Sequence, residues 1–183
     1  VKFDTEEALA TDITEVALAF EIASSDEAGS KLNVFTAKRD VLTEVLEALQ
    51  QYNLDPVTME PDVGCMSRFI DRVVETTEPR EAEILFAILS KSRGYLIAPP
   101  KTANEEARTA PTVRTFLLGP SQDRGKVLTR EVLVTTAMAE GGKSMDSLKV
   151  FDAAGRVNSQ DVGQKLGIET DTIDLCHAAG AES

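Results

Sequence analysis

The sequence predicts an α/β protein of two small lobes, with mixed sheets flanked by helices. Strand–helix–strand patterns near both ends of the chain indicate parallel strands joined by crossover helices. Two β-hairpin patterns, one in each half of the chain, add antiparallel strands to these sheets. With 183 residues, of which 42% are hydrophobic, the chain is long enough to bury a sizeable core.

The stretch 32–61 carries the first strand–helix–strand pattern. A short apolar run at 32–35 predicts a strand, and Val57–Glu60 predicts a second strand parallel to it. Asp40 suits the positive end of the intervening helix, and Asn53 suits a left-handed residue that closes the helix. The helix itself is predicted from apolar residues at helical spacing: Val41, Leu42, Val45, Leu46 and Leu49.

The residues before this stretch predict a short helix and a β-hairpin. Residues 1–12 have the composition of an acidic amphipathic helix. Apolar and other residues alternate over Glu15–Ile22, which predicts a strand, and Ser24–Lys31 has turn composition. We therefore expect the strand at Glu15–Ile22 to pair with the strand that begins at Leu32.

A helix and a boundary between lobes follow. Residues Asp62–Glu75 place apolar side chains three and four positions apart, after a proline, which predicts a helix that begins at Asp62. The next residues, TTEPR at Thr76–Arg80, have the composition of a connection. The sequence thus predicts a first lobe of residues 1–78 and a second of residues 79–183.

The second lobe is predicted to continue as a hairpin formed by Ile84–Leu89 and Tyr95–Ala98. A loop without apolar periodicity covers 99–111, and Val113–Leu118 supplies a third strand. The helix predicted over Val127–Ala139 is apolar on more than one side, so we expect it to be well buried. The remaining predicted elements are a strand at Leu148–Phe151, a helix at Ser159–Leu166 closed by Gly167, and a last strand at Thr172–Leu175.

Charge and cysteine content exclude several classes of function. A net charge of −12 argues against a phosphate-backbone partner, hence against nucleic acid, and against binding to a membrane surface through basic residues. Cys65 and Cys176 have no nearby cysteine, which favours reduced thiols, at least one of them buried. No apolar run approaches the length of a membrane-spanning helix. Because the chain begins with Val1, we expect it to be a segment of a longer protein.

Two stretches carry a resemblance to a known family. The first is VLTEVLEAL followed by NLDPV and EPD, and the second is SLKVFDAAGRVNSQDVGQKLGIETDTIDL. In this order they resemble the cytoplasmic actin-like domain of the L protein of type II secretion and the M protein of type IV pilus assembly. The resemblance covers nearly the whole chain. It implies a degenerate actin-like ATPase fold, of the ribonuclease H-like class, truncated at its N-terminal lobe.

The loops that bind nucleotide in that superfamily are altered here. Asp62–Ser67 matches the letters of a D-x-G phosphate loop but opens a predicted helix, so we read Asp62 as a helix cap. The hairpin turn that the resemblance places at a phosphate reads SKSRG and lacks an aspartate; Lys91, Arg93 and Gly94 could contact an anion, but a solvated turn is favoured. Asp152–Arg156 stands where relatives carry a Gly-Gly adenosine loop.

Other reactive side chains show no constellation. His177 is the single histidine and falls in a small-residue tail, where a surface position is favoured over a catalytic base. The carboxylates that share helix faces are read as solvated surface: Glu44, Glu47, Asp71 and Glu75. We therefore assign no catalytic, cofactor-binding or metal-binding residue, and expect ATP only if a missing lobe completes a site.

By resemblance, we expect a non-enzymatic scaffold domain that docks an assembly ATPase, or a partner's cytoplasmic peptide, on a secretion or pilus platform. The full-length protein would be cytoplasmic and associated with the bacterial inner membrane, with platform proteins as partners and homodimer formation left open. A single helix at Val127–Ala139 favours the L type. The alternatives are an actin-like ATPase or kinase whose phosphate loop lies in a missing N-terminal lobe, and a module that adds a partner strand to an open sheet edge.

Overall fold

The computed structural model describes residues 12–26, 29–77, 83–99, 111–138 and 145–174. The chain forms two compact units, Val1–Asp62 and Val63–Ser183. The helix predicted over 1–12, most of the loop at 99–111, Cys176 and His177 lie outside the described residues. The lobe boundary near residue 78 also lies there and stays a prediction.

The first unit is built on a long β-hairpin. Strand β1 (Val16–Asp26) pairs antiparallel with strand β2 (Gly29–Lys38), so the predicted hairpin is confirmed. Its register places Phe20 opposite Val34. Apolar side chains alternate along both strands, so the pairing brings them to one face of the hairpin.

Helix α1 (Arg39–Gln50) follows β2 directly, and its end is the one that the sequence predicts. The backbone N–H of Leu54 donates to the carbonyl of Leu49 at 3.1 Å, and Asn53 between them has a φ of 57°. This left-handed residue closes the helix, because an asparagine tolerates positive φ better than most residues.

The second strand predicted in the stretch 32–61 is wrong. Residues 54–61 form no strand, and Val57 is fully exposed. Pro56 and Pro61 flank the predicted strand Val57–Glu60, and a proline has no backbone N–H to donate to a neighbouring strand. In addition, β2 pairs with β1 rather than with a parallel strand, so the expected parallel crossover around α1 does not form.

The second unit contains a five-stranded mixed sheet. Its strand order is β5-β4-β3-β6-β7, antiparallel from β3 to β5 and parallel from β3 through β6 to β7. The mixed sheet and the final parallel strand–helix–strand unit therefore confirm the prediction. The strands are β3 (Ile84–Leu89), β4 (Arg93–Ala98), β5 (Thr112–Leu117), β6 (Ser147–Asp152) and β7 (Glu169–Thr172).

Three helices accompany this sheet: α2 (Asp62–Thr77), α3 (Arg124–Met138) and α4 (Ser159–Leu166). Central strand β3 is buried along all six residues, which places core on both faces of the sheet. On one face, Leu128 of α3 and Val162 of α4 belong to the main apolar cluster with alternate residues of β3 and β6. On the other, Phe151 contacts Phe69 of α2 and Phe86.

Helix α3 departs from its prediction in two ways. It begins at Arg124 rather than at Val127. One side of the helix is exposed, although the sequence predicted a well-buried helix. Val127, Leu128 and Val132 face the core, whereas Leu133, Val134 and Met138 are exposed. β7 also begins at Glu169, three residues before the predicted start, because left-handed Gly167 ends α4 and returns the chain to the sheet at once.

Gly94→Ala is expected to destabilise the protein by about 1–3 kcal/mol, because the new methyl group would overlap the ring of buried Phe116 on the neighbouring strand. Urea unfolding measures the change. Gly64→Ala on α2 is the matched control, since the nearest heavy atom to its new methyl group, at 3.9 Å, is Nη1 of Arg68. The helix should gain about 0.5–1 kcal/mol from this alanine. Equal effects of both substitutions would contradict the proposed packing of Phe116.

Candidate functional site

The loops that the sequence singles out for nucleotide contact meet at one edge of the sheet. Parallel strands β3 and β6 both end there, and ligands of open α/β sheets bind beside the carboxyl ends of such strands. β3 leads into the turn Ser90–Ser92, and β6 leads into the loop Asp152–Val157. The backbone N–H of Ala153 donates to the carbonyl of Leu89 at 3.0 Å, which joins the two connections directly.

Asp152, the last residue of β6, organises its own loop. Its carboxylate accepts hydrogen bonds from three backbone N–H groups: Ala154 at 3.1 Å, Arg156 at 2.8 Å and Val157 at 3.0 Å. An aspartate side chain that accepts from the backbone two or more residues ahead fixes a tight turn. The loop after β6 is therefore a tight turn held by the aspartate.

Arg124, the first residue of α3, connects this loop to the hairpin turn. Its Nη2 donates to Oδ1 of Asp152 at 2.9 Å and to the carbonyl of Ser90 at 2.7 Å, and its Nη1 donates to the carbonyl of Lys91 at 3.5 Å. The side chains of the ion pair are 8% and 1% exposed. We call this arrangement of Arg124, Asp152 and the carbonyls of Ser90 and Lys91 the arginine clamp.

The backbone N–H groups of its own loop, together with Arg124, keep Asp152 ionised. Burial alone would raise the pKa of this carboxyl, but the backbone N–H groups of Arg156 and Ala154, the charge of Arg124 and the N–H of Val157 outweigh it and lower the pKa. A carboxylate held in this way is a poor proton donor or base near neutral pH. Its contacts favour a structural role over acid–base catalysis.

A second charged cluster lies between β5 and α3. Buried Glu131 accepts from Nη2 of Arg114 at 3.0 Å and from Nη2 of Arg130 at 2.6 Å. Burial raises the pKa of Glu131, while the hydrogen bonds and charges of Arg130 and Arg114 lower it, so the net shift is downward. The cluster fastens edge strand β5 to α3.

These two carboxyls make stability depend on pH. Asp152 and Glu131 have pKa values below their ordinary 3.8 and 4.5, so their contribution is fully present above those values and is lost as pH falls through the folded-state pKa. We expect the free energy of unfolding to fall as the pH drops below these ordinary values and to go on falling through the folded-state pKa values. Urea denaturation across this range measures it. Asp152→Asn should flatten the pH dependence, and an unchanged slope would contradict this assignment.

The other positions that the sequence singled out lie on α2 and around the turn between β3 and β4. The D-x-G match opens α2 at Asp62, so it lies on a helix as expected and not on a hairpin turn. Lys91 and Arg93 are exposed in the hairpin turn, as predicted for a solvated turn. Gly94 is buried beneath Phe116, so it serves packing and is unavailable to an anion. Cys65 is exposed.

No group of three histidine, cysteine, aspartate or glutamate side chains converges on a metal-sized position within the described ranges. Across those ranges, no helix is both long enough and apolar enough to cross a membrane.

Arg124 is the principal residue of the site that sequence reasoning missed. The sequence predicts this helix to begin at Val127, so no local signal marks Arg124 as the first residue of the helix. A basic residue placed there against the dipole calls for a nearby carboxylate, and Asp152 supplies it from a strand 28 positions later.

Solved structures identify the fold. A structure described as a PilM-PilN type IV pilus biogenesis complex matches with a TM-score of 0.70 and 16% identity, covering 97% of this chain and 61% of that chain. A protein of unknown function with an actin-like ATPase fold, from Bacteroides thetaiotaomicron VPI-5482, matches with a TM-score of 0.50 and 8% identity, covering 90% of this chain and 58% of that one. No family model and no curated protein sequence matches this chain significantly.

This chain therefore has an actin-like ATPase fold, which confirms the predicted fold class. It spans less than two thirds of the length of either structure. At these identities the likeness establishes the fold alone.

Proposed function

We propose that this chain is a protein-docking domain of an assembly platform at the bacterial inner membrane, related to the type IV pilus M protein or the type II secretion L protein. The observation that carries the proposal is the arginine clamp. It closes the two loops that bind nucleotide in active members of the fold, while a sheet face in the first unit stays open to solvent.

The clamp opposes nucleotide binding by its chemistry. Phosphate oxygens are held by free backbone N–H groups and by cations with unused donors. Here, three N–H groups of the Asp152–Val157 loop already bind the Asp152 carboxylate, and the Arg124 guanidinium binds that carboxylate and two carbonyls. Nε of Arg124 is buried without a hydrogen-bond partner among the described residues. The negative charge that these donors bind is the carboxylate of Asp152, so the donors are already occupied when a phosphate approaches.

The first unit offers a surface for a protein partner. Phe20 is 61% exposed, Ile22 is 54% exposed, and their cross-strand neighbours Val34 and Leu32 continue the same face. We call these four residues the hairpin apolar face. Exposed apolar side chains that form one contiguous patch often mark a protein-interaction site, whereas single exposed apolar residues do not.

One class of partner is supported by likeness. The similar solved structure is described as a PilM-PilN type IV pilus biogenesis complex. By that likeness, we propose a short cytoplasmic peptide of an inner-membrane platform protein as the partner, with the assembly ATPase as a second one. We further propose that the protein works on the cytoplasmic side of the inner membrane. Titration with a pilus peptide and with a secretion peptide distinguishes between the two machineries.

The docking surface can be tested by titration. Phe20→Asp with Ile22→Asp should weaken binding of the platform peptide by about tenfold or more, because two buried contacts are lost. Val57→Asp is the control, since Val57 is fully exposed outside any strand or helix. Isothermal titration calorimetry with pilus and secretion peptides measures both variants. If neither peptide binds, or if both variants bind equally, the proposed docking surface is wrong.

The second candidate, an actin-like ATPase, is favoured by the fold itself. Thermal unfolding with and without Mg-ATP separates the two candidates. A ligand present at 100 times its dissociation constant stabilises the folded state by about 2.7 kcal/mol, which is an easily measured shift. We expect no shift for this chain, and a clear shift would favour the ATPase.

A further inference from the structure

Charge is distributed very unevenly between the two units. Residues 1–62 contain 14 aspartates and glutamates against 4 lysines and arginines, a net charge of −10. Residues 63–183 contain 17 against 15, a net charge of −2. A strongly acidic unit attracts basic surfaces, and the second unit carries such surfaces.

One such surface is the outer side of α3. Its residues recur at helical spacing and are exposed, with basic residues toward the helix start and apolar residues toward its end. The single acidic residue of the helix, Glu131, is buried and paired with Arg114 and Arg130. We define the α3 outer stripe as Lys126, Arg130, Leu133, Val134 and Met138.

The outer side of α1 has the opposite character. Val41 and Val45 are about half exposed and lie one helical turn apart, and Tyr52 continues the line beyond the helix end. Exposed Glu44 and Glu47 flank them. We define the α1 outer stripe as these five residues.

Both helices carry charge that opposes their own dipoles. Lys126 lies in the first turn of α3, where an acidic residue is favoured, and Glu47 lies in the last turn of α1, where a basic one is favoured. Each placement weakens its helix, because the charge lies beside the helix end of the same sign. If the start of α3 faces the end of α1, both placements become favourable, because Lys126 then lies beside Glu47 and each charge lies beside a helix end of opposite sign.

The spacing of charged and apolar residues fits an antiparallel contact. Glu47 lies about 9 Å beyond Val41 along α1, and Leu133 lies about 10 Å beyond Lys126 along α3. With the helices antiparallel, Glu47 meets Lys126 while Val41 meets Leu133. Antiparallel helix dipoles also attract one another.

We propose that this chain self-associates by packing the α1 outer stripe of one copy against the α3 outer stripe of another copy. The occupant of each stripe is the other stripe, since the two match in charge, in apolar content and in spacing. The inference goes beyond the proposed function and does not rest on it, because neither stripe overlaps the hairpin apolar face or the arginine clamp.

Sedimentation of two variants tests the contact. One carries Lys126→Glu with Leu133→Glu on α3, and the other carries Glu44→Lys with Glu47→Lys on α1. The unsubstituted chain should associate as its concentration rises, with a dissociation constant about tenfold weaker in high salt. Each variant alone should stay monomeric. An equimolar mixture should associate again, because it contains one intact pair of stripes and because the two substituted stripes carry opposite charges.

Folding is checked separately in the same variants. Lys126→Glu and Glu47→Lys both agree with the helix dipoles, so neither double variant should lose helix stability through the dipole. A monomeric parent chain at all concentrations would overturn the proposal and leave an acidic partner protein for α3. A mixture that stays monomeric would also overturn it, as would concentration-independent association of the stripes within one molecule.

Discussion

Arg124→Ala is expected to lower the free energy of unfolding by about 3–5 kcal/mol. The substitution leaves the Asp152 carboxylate buried without its cation and leaves the carbonyl of Ser90 without its donor. Urea unfolding followed by circular dichroism measures the loss. The midpoint should fall while the slope with denaturant is unchanged.

Matched substitutions separate the clamp from general effects of charge. Lys126→Ala, two residues along the same helix, removes an exposed cation 3.8 Å from Asp123 and should change stability by less than about 0.5 kcal/mol. Arg124→Lys keeps the charge but gives up the planar fork that reaches Asp152 and Ser90 together, so we expect an intermediate loss. The clamp would be refuted by an Arg124→Ala variant as stable as the Lys126→Ala variant.

A double-mutant cycle with Asp152→Asn measures the interaction between the two side chains. With the amide oxygen of asparagine in the Oδ2 position, the N–H groups of Arg156 and Val157 keep their acceptor, whereas the N–H of Ala154 and Nη2 of Arg124 lose theirs, so part of the loop's hydrogen bonding should survive this change. Because the two residues are in direct contact, their coupling should lie in the range of about 0.5–3 kcal/mol. Additive effects would place the cost of Arg124→Ala in packing rather than in the ion pair.

Elements whose signals are local could be predicted from the sequence. Asn53 carries the left-handed conformation that the sequence indicated, and α2 begins at Asp62 after its proline. Both hairpins form between strands that are close in the chain; β1 and β2 are also marked by alternating polarity, and β3 by a continuous apolar run. In these cases one short segment contains both the pattern and its physical cause.

Elements that depend on a distant partner could not be predicted in the same way. Val57–Glu60 has the composition of a strand but forms none, because composition does not tell whether a neighbouring strand is in reach. The apolar residues on both sides of α3 suggested burial, yet Leu133 is 52% exposed. Apolar residues alone do not reveal whether they face the core of the same chain or a partner.

The arginine clamp lay beyond the reach of sequence reasoning for the same reason. Arg124 at a helix start reads as a solvated residue, and only the fold brings it beside Asp152. The sequence did show that the two loops lack the phosphate-loop aspartate and the Gly-Gly pair. It could not show that the chain fills the space between them with its own guanidinium.

Phe151→Ala is expected to destabilise the second unit by about 3–5 kcal/mol. Phe151 is fully buried on the face of the sheet opposite α3 and α4. Its ring stacks near Phe86, with centroids 6.2 Å apart, and meets Phe69 of α2 edge-on at 6.0 Å. Removing the ring opens a cavity between α2 and the sheet and removes both aromatic contacts.

The cycle of Phe151→Ala with Phe69→Ala shows how α2 is held. If α2 packs on the sheet through this edge-on pair, the two substitutions should be coupled by about 0.5–1.5 kcal/mol, and α2 should lose amide protection before β3 does. Phe151→Leu is the control, since it keeps most of the apolar volume and should cost less than the alanine. Independent effects would show that α2 is held elsewhere. Coupled effects would support placing α2, whose first residues spell the D-x-G match, with the second unit as a packing helix.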